Sequence, residues 1–296
     1  MFERGTLWQA VTTTTRQALV SGILQPIPTH FRHMEDHGVR FGVRVLTHLA
    51  RKRRALPDST TGTPPAENPF LPHEPAMFVA DISPTHICLL NRYNVVDHHI
   101  LMVTRTFVAQ ETALGLEDFE ALWACMVEYE ALGFYNSGVM AGASQRHRHL
   151  QMVPLPLMPG GPPVPLEPSI LAAETCVKGL HAPCLPFRHG LAQIPWSDGA
   201  SPAELARASW QQYRQLLGAL GLVHSNGETE PAPYNLLVAR KWMLLVPRSR
   251  ECFACISLNA LAFAGTLLVH DEQQLEALKR HGPMHALLHV GFPARE

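Results

Sequence analysis

One strand hairpin, written twice, does most to restrict how this chain can fold. "HICLLNRYNVVDHHILMVTR" (86–105) and "YNLLVARKWMLLVPRSRE" (234–251) each place two short apolar runs around a polar turn, the second turning near Arg240 and Lys241. Runs of this length, rich in Ile, Leu and Val, suit strands, and a short turn returns the second strand antiparallel to the first. "MFVADI" adds a strand before the first hairpin. Helical spacing flanks both. Leu7, Val11, Leu19 and Leu24 predict an opening helix ended by Pro26 and Pro28. The spacing from Leu116 through Phe119, Trp123 and Met126 to Leu132 predicts another over 116–132, stopped by Gly133. A third starts at Ser201 as N-cap, with Pro202 in the first turn and Glu204 placed for a capping box. The fold class is α+β: two lobes of antiparallel strands flanked by helices, sharing a sheet or packing face to face. The proline-rich "PLPLMPGGPPVPLEP" (154–168) suits neither helix nor interior strand and divides the chain, giving lobes at 1–160 and 161–296.

Composition removes several classes of function. The 24 Lys and Arg against 25 Asp and Glu leave a formal charge of −1, so no overall field gathers nucleic acid or an anionic membrane. No apolar run reaches the ~18 residues of a membrane span. The first 25 residues carry Glu3, Arg4 and Arg16 and lack a signal-peptide core, which points to the cytoplasm. Six cysteines are too few for a disulfide scaffold in 296 residues. Cys252-Phe-Ala-Cys255 has a ligand-like spacing but no second pair, and reads as a buried thiol pair.

The chemistry concentrates in "GASQRHRHLQMVPLP" (142–156). On a strand, alternate residues share a face, so His147, His149 and Gln151 line one side while Leu150 and Met152 line the other. Two imidazoles and a carboxamide in a row are costly to bury unless something satisfies them. A solvated strand face is the plain explanation. A metal site would need further ligands, for which His98 and His99 are candidates. Nucleophilic attack by histidine on phosphorus needs donors for the phosphoryl oxygens, and the turn before the strand offers them. Gly142 and Ala143 leave backbone amides approachable, and Ser144 and Gln145 add side-chain donors. A metal site has no use for such a turn, so the third reading is preferred, with no protein-held metal. The basic run Arg51–Arg54 reads either as a solvated charge cluster or as a phosphate clamp, in which Lys52 is the best single candidate.

"NSGVMAGASQRHRHLQ" (136–151) resembles the active-site segment of the histidine triad (HIT) superfamily, in the transferase branch whose third position is Gln. The 88–105 hairpin resembles that superfamily's nucleoside pocket. Together with "YNLLVARKWMLLVPRSRE" and "ISLNALAFAGTLLV", the likeness narrows to the ATP adenylyltransferases, or diadenosine tetraphosphate (Ap4A) phosphorylases, over about residues 7–293. It implies a HIT-like fold with two pseudo-symmetric lobes and a two-step exchange. His149 attacks the α-phosphorus of Ap4A and expels ATP; phosphate then takes AMP from the histidine as ADP, reversibly. The resemblance gives Gln151 the transferring phosphoryl group and His147 the ordering of the strand. It assigns Asn136, Ser144 and Gln145 to the polyphosphate, Asn91 to ribose or phosphate, and Lys52 to the distal phosphates. Mg2+ is expected to accompany the polyphosphate. Two lobes in one chain replace the two subunits of smaller relatives, so a monomer is expected. A hexose-1-phosphate uridylyltransferase is the rival within the branch, whose members usually carry proline where Arg148 stands. A nucleotide-binding sensor without turnover is the rival outside it.

Overall fold

The computed structural model describes residues 1–47, 68–176, 179–183, 185–223 and 230–294. Helix α1 (Leu7–Val20) precedes the hairpin β1 (Thr29–Asp36) and β2 (Val39–Leu46). Then come β3 (Phe78–Asp81), β4 (His86–Leu90), β5 (Ile100–Thr104), α2 (Leu116–Met126), β6 (Ala131–Asn136) and β7 (His149–Pro154). The second half runs α3 (Glu167–Leu171), β8 (Glu174–Cys176), β9 (Gly179–His181), β10 (Gly190–Gln193), α4 (Pro202–Ala219), β11 (Tyr234–Val238) and β12 (Trp242–Pro247). It closes with β13 (Cys252–Phe253), β14 (Ile256–Ser257), β15 (Thr266–Val269), α5 (Glu272–His281) and α6 (Pro283–Val290).

Ten strands form one antiparallel sheet in the order β3-β4-β5-β7-β6-β11-β12-β10-β9-β8. The two predicted hairpins are β4–β5 and β11–β12, and the halves share the sheet through β6 and β11, from Gly133↔Val238 to Asn136↔Asn235. Both faces are covered. Leu236 and Val238 of β11 join α1, α2 and α4 in one core, while Leu237 faces the other with Phe41, Val43, Phe263 and Leu287. Burial on both faces explains why these strands read as continuous apolar runs. Over the second face lies a small sheet, β1-β2-β15, in which β15 pairs parallel to β2.

Four expectations need correction. The helix predicted over 116–132 stops at Met126, and Leu132 and Gly133 belong to β6. Helical spacing continues into the strand by coincidence, and pairing with β7 and β11 decides the outcome. Gly133 is not a helix stop: a Cβ there would stand 2.6 Å from Leu122 Cδ1, so the bare backbone lets α2 lie close on the sheet. Ser201 and Pro202 do begin α4, but Ser201 makes no side-chain cap, so the capping box with Glu204 is absent. The strand expected to carry His147, His149 and Gln151 starts only at His149; His147 makes an isolated bridge to Ala109. Finally, Cys252 and Cys255 are not a buried pair, because Cys255 is exposed at a tight turn with Ala254 and Cys255 at φ 47° and 62°. No helix among the described residues is long and apolar enough to cross a membrane.

Candidate active site

His149 sits on β7, opposite Val103 of β5, with its ring on the face that Gln151 shares. Its Nδ1 lies 2.8 Å from the carbonyl oxygen of His147. A carbonyl can only accept, so Nδ1 carries the hydrogen and Nε2 keeps the lone pair. Burial holds the ring neutral, lowering its pKa to about 4; the bond to His147 opposes this and the neighbouring His147 imidazole adds to it. The residue is 4% exposed, and its ring packs against Phe70 at 5.4 Å.

His147 is anchored rather than presented. Its Nε2 donates to the Thr104 carbonyl at 2.8 Å and lies 2.9 Å from Thr104 Oγ1, while Nδ1 accepts from Asn68 Nδ2 at 2.9 Å. Asn68 Oδ1 in turn accepts from the Phe70 amide, so one short segment fixes both the first imidazole and the ring packed on the second. Burial lowers the pKa of His147 as well.

Gln151 pairs with Leu101 on one side and Phe134 on the other. Beside it stands His99, driven down to about 4 by burial, with the His149 imidazole acting in the same direction. The Gln151 carboxamide opposes that shift without reaching hydrogen-bond geometry on His99 Nε2, which is buried and unpartnered among the described residues. His99 Nδ1 lies 3.1 Å from Asn91 Nδ2, and Asn91 Oδ1 accepts from the Tyr93 amide at 3.2 Å. Asn91 therefore both shapes the hairpin turn and fixes the orientation of His99. His98 points elsewhere: its Nδ1 is 3.2 Å from Thr15 Oγ1 and its ring meets Trp8 of α1. Among the described residues no group of three or more His, Cys, Asp or Glu is arranged to hold a metal ion. An apolar wall of Phe70, Ile87, Leu89, Leu101 and Val103 completes this side.

The turn before β7 differs from expectation in which amides it offers. The Gly142 amide donates to the Val139 carbonyl at 2.8 Å and that of Ala143 to the Gly138 carbonyl at 3.0 Å, so both are spent inside the turn. The Ser144 and Gln145 amides are engaged by no group among the described residues; Ser144 is exposed and Gln145 half-buried. Gly142 has φ 86°, and a Cβ on it would lie 2.9 Å from both Asn259 Cβ and the Leu258 carbonyl oxygen. Asn136 is built into the same junction. Its Oδ1 accepts from Asn235 Nδ2 at 2.8 Å and from the Ala260 amide at 2.9 Å, which places the second half of the chain directly against the turn. Lys52 lies outside the described residues.

Sequence reasoning missed three supports. Gln110 is wholly buried and bonds to the backbone of His149. Arg148 turns to the opposite face, where its guanidinium meets Asp118 at 2.9 Å and the carbonyls of Thr112 and Ala113; Asp118 also holds His86 at 3.1 Å. Arg248, lowered to about 10 by burial, donates to Asn235 Oδ1 at 2.5 Å and to the carbonyls of Ala141, Arg250, Glu251 and Val290. A charged residue at the head of an apolar strand, as at Arg148, is the one readable signal; Gln110 and Arg248 stand in unremarkable local patterns.

Residues 1–172 match the family model described as the Ap4A phosphorylase N-terminal domain, and residues 183–293 match that of the ATP adenylyltransferase C-terminal domain. The chain is 27% identical over 250 residues to diadenosine 5',5'''-P1,P4-tetraphosphate phosphorylase 2 of Saccharomyces cerevisiae, covering 77% of each. It is 25% identical over 230 residues to Protein APA1 of the same yeast, covering 69% of this chain and 68% of the other. In fold it is similar to the crystal structure of yeast Ap4A phosphorylase Apa2, with a TM-score of 0.81 at 24% identity over the whole of both chains, and to the same enzyme in complex with Ap4A, with a TM-score of 0.80.

Proposed function

The chain belongs to the Ap4A phosphorylase family, and from that premise we infer that it is an ATP adenylyltransferase that phosphorolyses Ap4A to ATP and ADP by way of an adenylylated His149. Nε2 of His149 attacks the α-phosphorus, the bond to the departing ATP breaks, and a P–N bond holds AMP. The positive charge that develops on the ring is shared through Nδ1–H with the His147 carbonyl. Inorganic phosphate then attacks the same phosphorus, the P–N bond breaks, and ADP leaves. The reverse sequence makes Ap4A.

The observation that carries this reading is the state of His149, a neutral imidazole whose Nδ1 is tied down and whose Nε2 keeps its lone pair. Gln151 is suited to donate to the transferring phosphoryl group, and the Ser144 and Gln145 amides to cradle oxygens whose charge rises in the transition state. The apolar wall around Leu101 and Val103 suits a nucleobase, with Asn91 at its edge, and Lys52 is assigned to the distal phosphates. Mg2+ belongs to the substrate in this scheme, carried on the polyphosphate. One continuous sheet built from both halves favours a monomer, and the free thiols Cys88, Cys125, Cys252 and Cys255 suit the cytoplasm.

The test is product analysis. Mixed with adenine-labelled Ap4A without phosphate and then denatured in alkali, where a phosphoramidate survives, the wild type should retain covalent AMP; phosphate should convert it to ADP. His149→Ala should do neither. Release of AMP in place of ADP would make the protein a hydrolase, and turnover of UDP-glucose with galactose 1-phosphate alone would make it a uridylyltransferase. Binding without label or turnover would make it a sensor.

A further inference from the structure

The β6–β7 ladder runs from Ala131↔Pro154 to Phe134↔Gln151. In the same register Asn136 would face His149, yet the ladder ends before reaching them. Each strand keeps its outer neighbour there: Asn136 pairs with Asn235 of β11, and His149 with Val103 of β5. The sheet splays at the nucleophile. The side chain of Gln110 fills the opening, with no exposed surface. Its Oε1 accepts from the His149 amide at 2.9 Å, and its Nε2 donates to the Asn136 carbonyl at 2.9 Å and the His149 carbonyl at 3.3 Å.

The carboxamide thus stands in for a peptide group of a strand that is not there. Its own backbone is fixed as well, the amide donating to the Arg146 carbonyl at 2.9 Å and the carbonyl accepting from the Tyr135 hydroxyl. We propose that Gln110 is a positioning residue for adenylyl transfer: it sets the separation between the nucleophile strand and the strand whose end, Asn136, anchors the phosphate turn. This rests on His149 being the nucleophile. Without taking up a proton, only a carboxamide can accept from one amide and donate to both carbonyls with the same planar group. A carboxylate would set its charge against two carbonyl oxygens; a protonated carboxyl would restore one acceptor and one donor.

That chemistry gives a readout that loss of packing would not. Adenylylation by labelled Ap4A is followed in single turnovers for the wild type, Gln110→Met and Gln110→Glu across about pH 5.5 to 8.5. Gln110→Met should lower the rate constant by about 100-fold while the Ap4A concentration for half-maximal rate moves less than about threefold, as expected of a misplaced nucleophile. Gln110→Glu should be equally slow at about pH 8 and should recover about tenfold or more as its buried carboxyl takes up a proton on the acid side. Rates within about threefold of wild type at pH 8, or a Gln110→Glu profile parallel to that of the wild type, would overturn the proposal. Should both variants prove unfolded by circular dichroism, the wild type decides by nuclear magnetic resonance. The Gln110 carboxamide protons must be protected from exchange and must shift when His149 is adenylylated; unprotected or unmoved signals overturn it. A wild type that takes no label at all would instead remove the nucleophile reading itself.

Discussion

A histidine that is to attack phosphorus must be unprotonated when the substrate arrives. With burial lowering its pKa to about 4, His149 meets that condition across the neutral range. Single-turnover adenylylation should accordingly lose rate only below about pH 5, well under the ordinary histidine value of about 6.5; an acid limb centred near 6.5 would contradict the burial described here. The same shift has a cost in stability. His99 is also lowered to about 4, so between that value and 6.5 the unfolded chain binds protons that the folded one does not. The stabilisation is fully present above 6.5 and is lost as pH falls toward 4, by about 1.4 kcal/mol per unit for each group. The urea midpoint should fall from pH 7 to pH 5, and His99→Gln should make that fall shallower. A second residue-scale prediction concerns Gly142, whose φ of 86° and contacts at 2.9 Å leave no room for a side chain. Gly142→Ala should destabilise the fold by about 2 kcal/mol or more in urea titration, through backbone strain and the forced shift of residues 258–259.

Between elements, the segment after β5 and the start of β7 grip each other in both directions. Arg148 reaches out to the Thr112 and Ala113 carbonyls and to Asp118 at the start of α2, while Gln110 reaches back to the His149 backbone. Arg148→Met should cost about 3 to 5 kcal/mol by equilibrium denaturation, because Asp118 would stay buried without its cation. Arg148→Lys should not restore it, since one ammonium cannot span the carboxylate and both carbonyls. These grips also show what local sequence can and cannot reveal. The placement of His149 and Gln151 on one strand is legible because a two-residue period is a local property, and the two hairpins because turn and apolar run lie side by side. Gln110 was not, since its partners His149 and Asn136 lie 39 and 26 positions away. Helix 116–132 was overextended because the spacing that buries one face of α2 runs on into β6, and only pairing with β11 tells them apart. The Gly142 and Ala143 amides were misjudged because their acceptors, Val139 and Gly138, belong to a turn whose curl no residue type announces.

At the scale of the whole molecule, the two halves are not separable bodies. Leu236, Val238, Met243 and Leu245 from the second half share a core with α1 and α2, and Phe134 and Val153 from the first share the other with Phe263 and Leu287. Residues 1–160 expressed alone should therefore lack the near-ultraviolet signal of a packed core, and the full chain should unfold in one transition by fluorescence and far-ultraviolet circular dichroism alike. An independently folded N-terminal half would refute this. The junction at Gly142 carries the point further. The turn that precedes His149 is closed from behind by Leu258 and Asn259, and Ala260 donates to Asn136. A copy still being translated has made His149 long before those residues have left the ribosome, so the turn beside it would lack its backing until synthesis is nearly complete.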